Sequence, residues 1–361
     1  MPVSRVGMIV HEGRPEAVEA AATVHRWCAE RDVPVAEIDI WRQPRHSGRE
    51  EAAAAGYPDL IVTLGGDGTF LRGARVSAAC GAAVLGVDLG RVGFLTEVCV
   101  QDVTTALDAV AEDRATVEDR MTLTLRASRK LEIPEGIESL LRYGRGPALP
   151  APSVRPGDPV DVGWGVPMSV NAVNDIVFEK LARDRQASVA VYLAGRLFAS
   201  YSADAIIAAT PTGSTAYSFA AGGPVVSPHM DALVFTPVAP HMAFDRTLVA
   251  APDESVAVRV LPHSGRVAVS IDGQLRGVLD PGDWVAVYRG LHRLRLIRLG
   301  PTDFYGRLRD RFRLSDAPAA LADGTAAPLY RPDSPVPPDL AGLRLPPAPP
   351  RHPDEDADAA H

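Results

Sequence analysis

The run Leu64-Gly65-Gly66-Asp67-Gly68-Thr69 sets a carboxylate inside a turn made almost wholly of glycine. Gly65, Gly66 and Gly68 can adopt turn conformations that a side chain forbids. They also let backbone N–H groups close on an anion, and a helix starting after the turn adds the favourable end of its dipole. A bare phosphate would repel Asp67. The residue makes chemical sense if it takes the proton from an attacking hydroxyl, or if it holds a divalent cation. On residue types alone, a plain strand-to-helix turn with Asp67 as its N-cap is equally allowed.

A second segment, Thr210-Pro211-Thr212-Gly213-Ser214-Thr215-Ala216-Tyr217-Ser218, packs five hydroxyl-bearing Ser and Thr residues and one Tyr into nine positions. Hydroxyls and turn amides suit ribose and phosphate oxygens, and a Tyr ring can flank a base. A Ser/Thr-capped helix start with Tyr217 in the core fits the same composition. A third segment, Asn171-Ala172-Val173-Asn174-Asp175-Ile176, offers an adjacent amide and carboxylate at a strand, suited to ribose hydroxyls or to an ordinary loop.

These segments need elements to position them. Over the first hundred residues, apolar strand-like runs (5–10, 33–40, 59–64, 82–87) alternate with helical spacing (15–31, 50–55, 70–80), and 104–111 reads as a further helix. Such alternation implies a parallel sheet with helices on both faces. From about residue 120 the pattern becomes many short strands separated by turns such as Asp272-Gly273 and Asp280-Pro281-Gly282. That predicts an antiparallel sandwich. The expected fold is therefore an α/β, Rossmann-like N-terminal domain over 1–118 and a β-rich domain over 119–289. The stretch 290–315 rejoins the first domain, 129–167 is a surface insertion, and 316–361 is a Pro-rich acidic tail without fixed structure.

The 361 residues carry a net charge of −8 and a pI near 5.6, which argues against a nucleic-acid binder, whose footprint is basic. No apolar run approaches the ~18 residues of a membrane span, and the N-terminus lacks a secretory pattern. Three cysteines, Cys28, Cys80 and Cys99, neither build a disulfide framework nor show metal-site spacing, so a reducing, cytoplasmic setting is expected. The only lysines are Lys130 and Lys180, and neither stands in a Walker-type phosphate loop.

In their order and spacing, GGDGT, the Asn174-Asp175 pair and TPTGSTAYS resemble the NAD kinases, which share the GGDG turn with diacylglycerol, sphingosine and phosphofructokinases. The following AAGGPVVSP and TPVAPH runs make the likeness specific, and GVDLGRVGFL (86–95) and SIDGQ (270–274) extend it over 3–314. The resemblance implies a homodimer or homotetramer that transfers the terminal phosphoryl group of ATP or polyphosphate to the 2′-hydroxyl of the adenosine ribose of NAD. Mg²⁺ or another divalent cation would assist, with no protein metal site, nucleic acid or membrane involved. Asp67 would be the general base and Arg72 a phosphate partner, with Gly65, Gly66, Gly68, Thr69 and Phe94 at the same mouth. Asn174, Asp175, Arg185, Asp204 and Gln274 would grip the dinucleotide. Thr212, Thr215, Ala216, Tyr217, Ser218, Phe219 and Ala220 would cradle its adenosine half. The likeness departs from the family pattern at Asp88, where Asn is usual, at Ala203-Asp204-Ala205, and in the length of 129–167. Two alternatives stay open: a related kinase of another nucleotide or a lipid, and a catalytically silent dinucleotide sensor.

Overall fold

In the computed structural model, the described residues are 3–11, 13–40, 47–90, 92–137, 149–157, 165–181, 185–242, 244–300 and 303–314. The tail expected over 316–361, Arg91 and much of the 129–167 stretch lie outside them.

The first sheet runs in the order Val35–Glu37, Val6–Val10, Leu60–Leu64, Ala83–Asp88, Leu294–Arg298, Thr116–Arg120, with Val98–Cys99 paired to Ala83–Asp88. All of its pairings are parallel except that of Thr116–Arg120 with Leu294–Arg298. Leu60–Leu64 and Ala83–Asp88 are buried throughout, as strands covered by helices on both faces must be. Helices Pro15–Glu30 and Val103–Ala111 cover one face through Val24, Trp27 and Leu107, while Gly48–Ala54 and Asp67–Cys80 cover the other through Ala52, Phe70 and Ala74. Each large apolar side chain so buried, such as Val24, Leu107 or Phe70, contributes about 1.5–3 kcal/mol.

Two further sheets of six antiparallel strands each stack on one another. One runs Arg196–Ala203, Ala187–Leu193, Val256–Val260, Trp284–Arg289, Leu123–Ala127, Val166–Pro167. The other runs Leu248–Ala250, Leu233–Val238, Ala205–Ala209, Asp175–Lys180, Val267–Ile271, Gln274–Leu279. Alternate residues from both, among them Leu125, Val191 and Val258 against Phe178, Phe235 and Val269, form a single core. This is the inward alternation of a sandwich.

Several elements differ from the sequence expectation. The strand expected over 169–178 begins only at Asp175, because the backbone amides of 173–175 are engaged by a side chain from another turn. Thr116–Arg120 is masked in the sequence by its charged run Glu118-Asp119-Arg120, of which Glu118 and Arg120 join a buried ion network. Gln274–Leu279 carries Arg276 and Gly277 where a strand pattern wants apolar residues, and both are buried. Described residues up to Phe304 form one compact unit, and those after it belong to a second. No helix among the described residues is long and apolar enough to cross a membrane.

Candidate active site

Strand Leu60–Leu64 delivers the chain into the glycine turn, and helix Asp67–Cys80 leaves it. The N-cap is Gly66 and makes no side-chain cap; Asp67 is in the first helical turn, so the capping role open to it in the sequence is not the one adopted. Its carboxylate turns instead to the loop after Ala83–Asp88, where the Leu95 N–H donates to Oδ1 at 3.2 Å. Gly93 makes room for it: a Cβ there would lie 2.4 Å from Asp67 Oδ1 and 2.7 Å from Cγ. That loop is itself braced by Asp88, which accepts from the Gly90 N–H at 2.8 Å and the Thr96 hydroxyl at 3.2 Å, while Thr96 accepts from the Gly93 N–H at 2.7 Å. The departure from Asn at 88 therefore leaves an acceptor where the loop needs one. Phe94 is half-buried, its ring 6.3 Å from that of Phe304.

The turn opens on a cleft of about 730 Å³ lined by Gly66, Gly68, Thr69 and Arg72 on one side and by Asn171, Asp272 and Gln274 on the other. Arg14, Arg75 and Arg276 complete a strongly cationic wall. Arg75 is paired with the buried Glu51. Burial, with Arg75 close by, lowers the pKa of Arg72; the same causes bring Arg276 down to about 9, so both stay cationic at neutral pH. Arg72 Nη2 donates to Gln274 Oε1 at 3.4 Å, a contact between the α/β sheet's helix and the sandwich.

The Asp272-Gly273 turn holds the opposite wall together. Asp272 adopts a left-handed backbone (φ 47°), which short polar side chains tolerate. Its carboxylate accepts from the N–H groups of Val173 (2.9 Å), Asn174 (2.7 Å) and Asp175 (3.2 Å). Burial, with Asp272 beside it, pushes Asp175 up to about 8. Burial also raises Asp272, but the three N–H bonds pull it back to about 6. Both carboxyls are therefore held above the ordinary aspartate range, Asp175 the further of the two.

The hydroxyl-rich loop joins the same wall. Thr210 N–H donates to the Asn174 carbonyl at 2.9 Å and its hydroxyl to the Val173 carbonyl at 2.6 Å. Gly213 is indispensable here, because a Cβ would stand 2.0 Å from the Asn174 carbonyl oxygen. The hydroxyls are less available than composition suggests. Thr210 and Ser214 bond backbone carbonyls, and Ser218 pairs with Thr236 at 2.8 Å. Thr212 is buried and accepts from Arg120, and Thr215 bonds the Thr212 carbonyl at 3.3 Å. The rings of Tyr217 and Phe219 and the small Ala220 are exposed.

Arg185 and Asp204 lie elsewhere. Asp175 pairs with Ala209 and Glu179 with Ala205, so Asp204 and Lys180 occupy the far end of the strand, about 17 Å from Asp175 at 3.4 Å per residue. There Asp204 is bonded to Lys180 at 2.5 Å, beside a second pocket lined by Arg185 and Gln186. The chain does not gather these two with the cleft. Of the residues that sequence reasoning gave no role, Asp272, Arg75 and Arg276 line the cleft and Arg120 braces Thr212; only Asp272 had a signal, its Asp-Gly turn within the SIDGQ run.

Two family models match the chain, the ATP-NAD kinase N-terminal domain over residues 6–115 and the ATP-NAD kinase C-terminal domain over 173–299. With the glycine turn and cationic cleft, they define the class as a kinase built on this two-part fold. NAD kinase 1 of Streptomyces avermitilis is 68% identical over 97% of this chain and 98% of its own length. The NAD kinase of Heliobacterium modesticaldum is 34% identical over 85% and 98%. The fold is shared with yeast NADH kinase complexed with NADH (TM-score 0.69, 21% identity, 88% of this chain and 89% of that one). It is also shared with an Archaeoglobus fulgidus NAD kinase in complex with ATP (TM-score 0.59, 20% identity, 86% and 98%). The chain belongs to the NAD kinase family.

Proposed function

We propose that Asp67 is the general base in the reaction the family assigns, the ATP-dependent phosphorylation of NAD to NADP. The 2′-hydroxyl of the adenosine ribose gives its proton to Asp67 as its oxygen bonds the terminal phosphorus of ATP. The bond to the bridging oxygen breaks, and ADP leaves. A ribose hydroxyl is a weak acid at neutral pH, so a positioned carboxylate contributes about 10²- to 10⁴-fold. The observation that carries this reading is the seat of Asp67: at a helix start, held by the Leu95 N–H, over the space that Gly93 leaves.

The remaining work is positioning and charge. The amides of Gly66 and Gly68 face donor phosphates, with Arg72 beside them, while the N–H groups of Gly65 and Thr69 close the turn on the Val87 and Gly66 carbonyls. Asn174 and Gln274 hold the acceptor from the sandwich side, Asp175 orders the same segment, and Tyr217, Phe219 and their neighbours flank its adenosine. Arg185 and Asp204 would act on a dinucleotide only at the far pocket. No group of three or more His, Cys, Asp or Glu that could hold a metal occurs among the described residues. This donor set fits Mg²⁺ carried by the donor phosphates and touched by at most one or two carboxylates. When bound, the cation neutralises phosphate charge during transfer.

The arginine wall supports a linear polyphosphate as a second donor, since it addresses phosphates and not a base. Exposed Leu197, Phe198 and Val249 on edge strands support a homodimer or homotetramer. The free cysteines fit the cytoplasm. The test is product formation from NAD, NADH and diacylglycerol with ATP or polyphosphate. NADP from NAD is expected with Mg²⁺, and phosphorylation of the lipid alone would overturn the assignment.

A further inference from the structure

A buried chain of alternating charge links the loop that seats Asp67 to the loop proposed to hold adenosine. Glu97 lies two residues beyond Leu95 and accepts from Arg298 Nη1 at 2.7 Å and from the Leu299 N–H at 3.0 Å. Arg298 Nε donates to Glu118 Oε2 at 2.6 Å. Glu118 Oε1 accepts from Arg120 Nε at 2.6 Å and faces His229 Nδ1 at 3.2 Å. Arg120 Nη1 then donates to the Thr212 hydroxyl at 3.2 Å. The side chains of Arg298 and Arg120 are only 3% and 4% exposed, and those of Glu97 and Glu118 only 9% and 14%, so water screens none of these contacts well.

The positions of these residues give the chain a purpose beyond stability. Arg298 and Glu118–Arg120 belong to the two last strands of the α/β sheet, whereas Thr212 belongs to the sandwich. Thr212 also sets its neighbour: its carbonyl accepts from Thr215, in the short 3₁₀ turn that precedes Tyr217. Arg298 is held between two carboxylates, and Arg120 is bonded to the second of them, Glu118, so the buried guanidinium of Arg120 has little rotational freedom. Its bond to Thr212 therefore fixes where that turn lies relative to the sheet that carries Asp67.

We infer that Glu97, Arg298, Glu118 and Arg120 form a positioning relay that sets the adenosine loop at a fixed distance from Asp67, with Arg120 its terminal positioning residue. None of the four touches the reacting atoms. The inference rests on the reading of Asp67 and the Thr212–Ala220 loop as the two halves of the reaction site.

The experiment is steady-state kinetics on the full chain with NAD and ATP varied separately, together with NAD binding by calorimetry and thermal unfolding. Wild-type activity tests the function itself: a wild type that makes no NADP defeats that reading, while the relay is judged from NAD binding. Arg120→Met and, at the remote end, Glu97→Gln are expected to raise the NAD KM and Kd about five- to tenfold, within the usual range of coupled neighbours. The ATP KM should move less than about twofold. A double-mutant cycle of Arg120→Met with Thr212→Val should show a shared loss, and Arg120→Lys should restore part of the NAD affinity. If Arg120→Met does not fold, Glu97→Gln and Thr212→Val carry the test. Folded variants with unchanged NAD Kd, or with NAD and ATP KM rising equally, would overturn the inference.

Discussion

At the scale of single residues, Asp67 and Asp175 are two carboxylates put to opposite uses by their surroundings. Asp67 stands at the start of a helix with one N–H donor on Oδ1. Asp175 is buried beside Asp272, and burial pushes its carboxyl up to about 8. The consequence for stability has a definite sign. In the unfolded chain Asp175 ionises near pH 4, so between about pH 4 and 8 the folded state binds more protons, and stability contributed by this residue falls as pH rises. Asp272, raised to about 6, adds to the fall over the lower part of that window. Urea unfolding of wild type and Asp175→Asn at pH 6 and pH 8 is expected to show a smaller loss of stability across the interval for the variant. Equal losses would mean that Asp175 is already ionised in the folded protein.

At the scale of elements, both halves of the site depend on a side chain being absent. Gly93→Ala would drive a methyl into the Asp67 carboxylate. A misplacement of about 1 Å at a reacting group costs on the order of 10²-fold, so kcat should fall by about that factor while the melting temperature moves little; a kcat within threefold of wild type would show that Asp67 needs no such seat. Gly213→Ala would press on the Asn174 carbonyl, a backbone atom that cannot turn aside, and is expected to raise the NAD KM and lower the melting temperature together.

Much of this was legible in the sequence. Glycines flanking an acid between a β-run and a helical run specify a strand, turn and helix by local rules alone, and the structure has all three at Leu60–Leu64, Gly65-Gly66 and Asp67–Cys80. What was not legible depends on partners remote in the chain. Asp272 meets its three amides about a hundred residues away, and Arg120 meets Thr212 across 92 residues. Spacing carries no trace of such pairings. The Ser and Thr residues of the 210–218 loop left two readings open for a related reason: a hydroxyl-rich composition fits a ligand cradle and a self-bonded turn alike, and here Thr210, Ser214 and Ser218 bond within the protein. Arg298 is likewise buried between two glutamates, Glu97 and Glu118, that lie 201 and 180 residues earlier in the chain.

At the scale of the whole molecule, the sandwich is the base that carries the 171–175 segment, the 210–220 loop and the Asp272-Gly273 turn. Its core is one continuous cluster, with Phe178 fully buried between the sheets and only three residues from Asp175. Phe178→Ala should cost about 3–5 kcal/mol of stability. Because both sheets loosen together, the loss is expected as a lower fraction of folded enzyme in chemical unfolding, with the NAD KM of the folded fraction nearly unchanged. A preserved unfolding midpoint would contradict the continuity of that core.

The most direct test of the account compares wild type with Asp67→Asn in a single-turnover assay of NADP formation, with NAD binding measured on the same preparations by calorimetry. Wild type is expected to form NADP with ATP and Mg²⁺. The variant should bind NAD as wild type does, with the chemical step slowed by about 10²- to 10⁴-fold. A variant that forms NADP at the wild-type rate would contradict Asp67 as the proton acceptor.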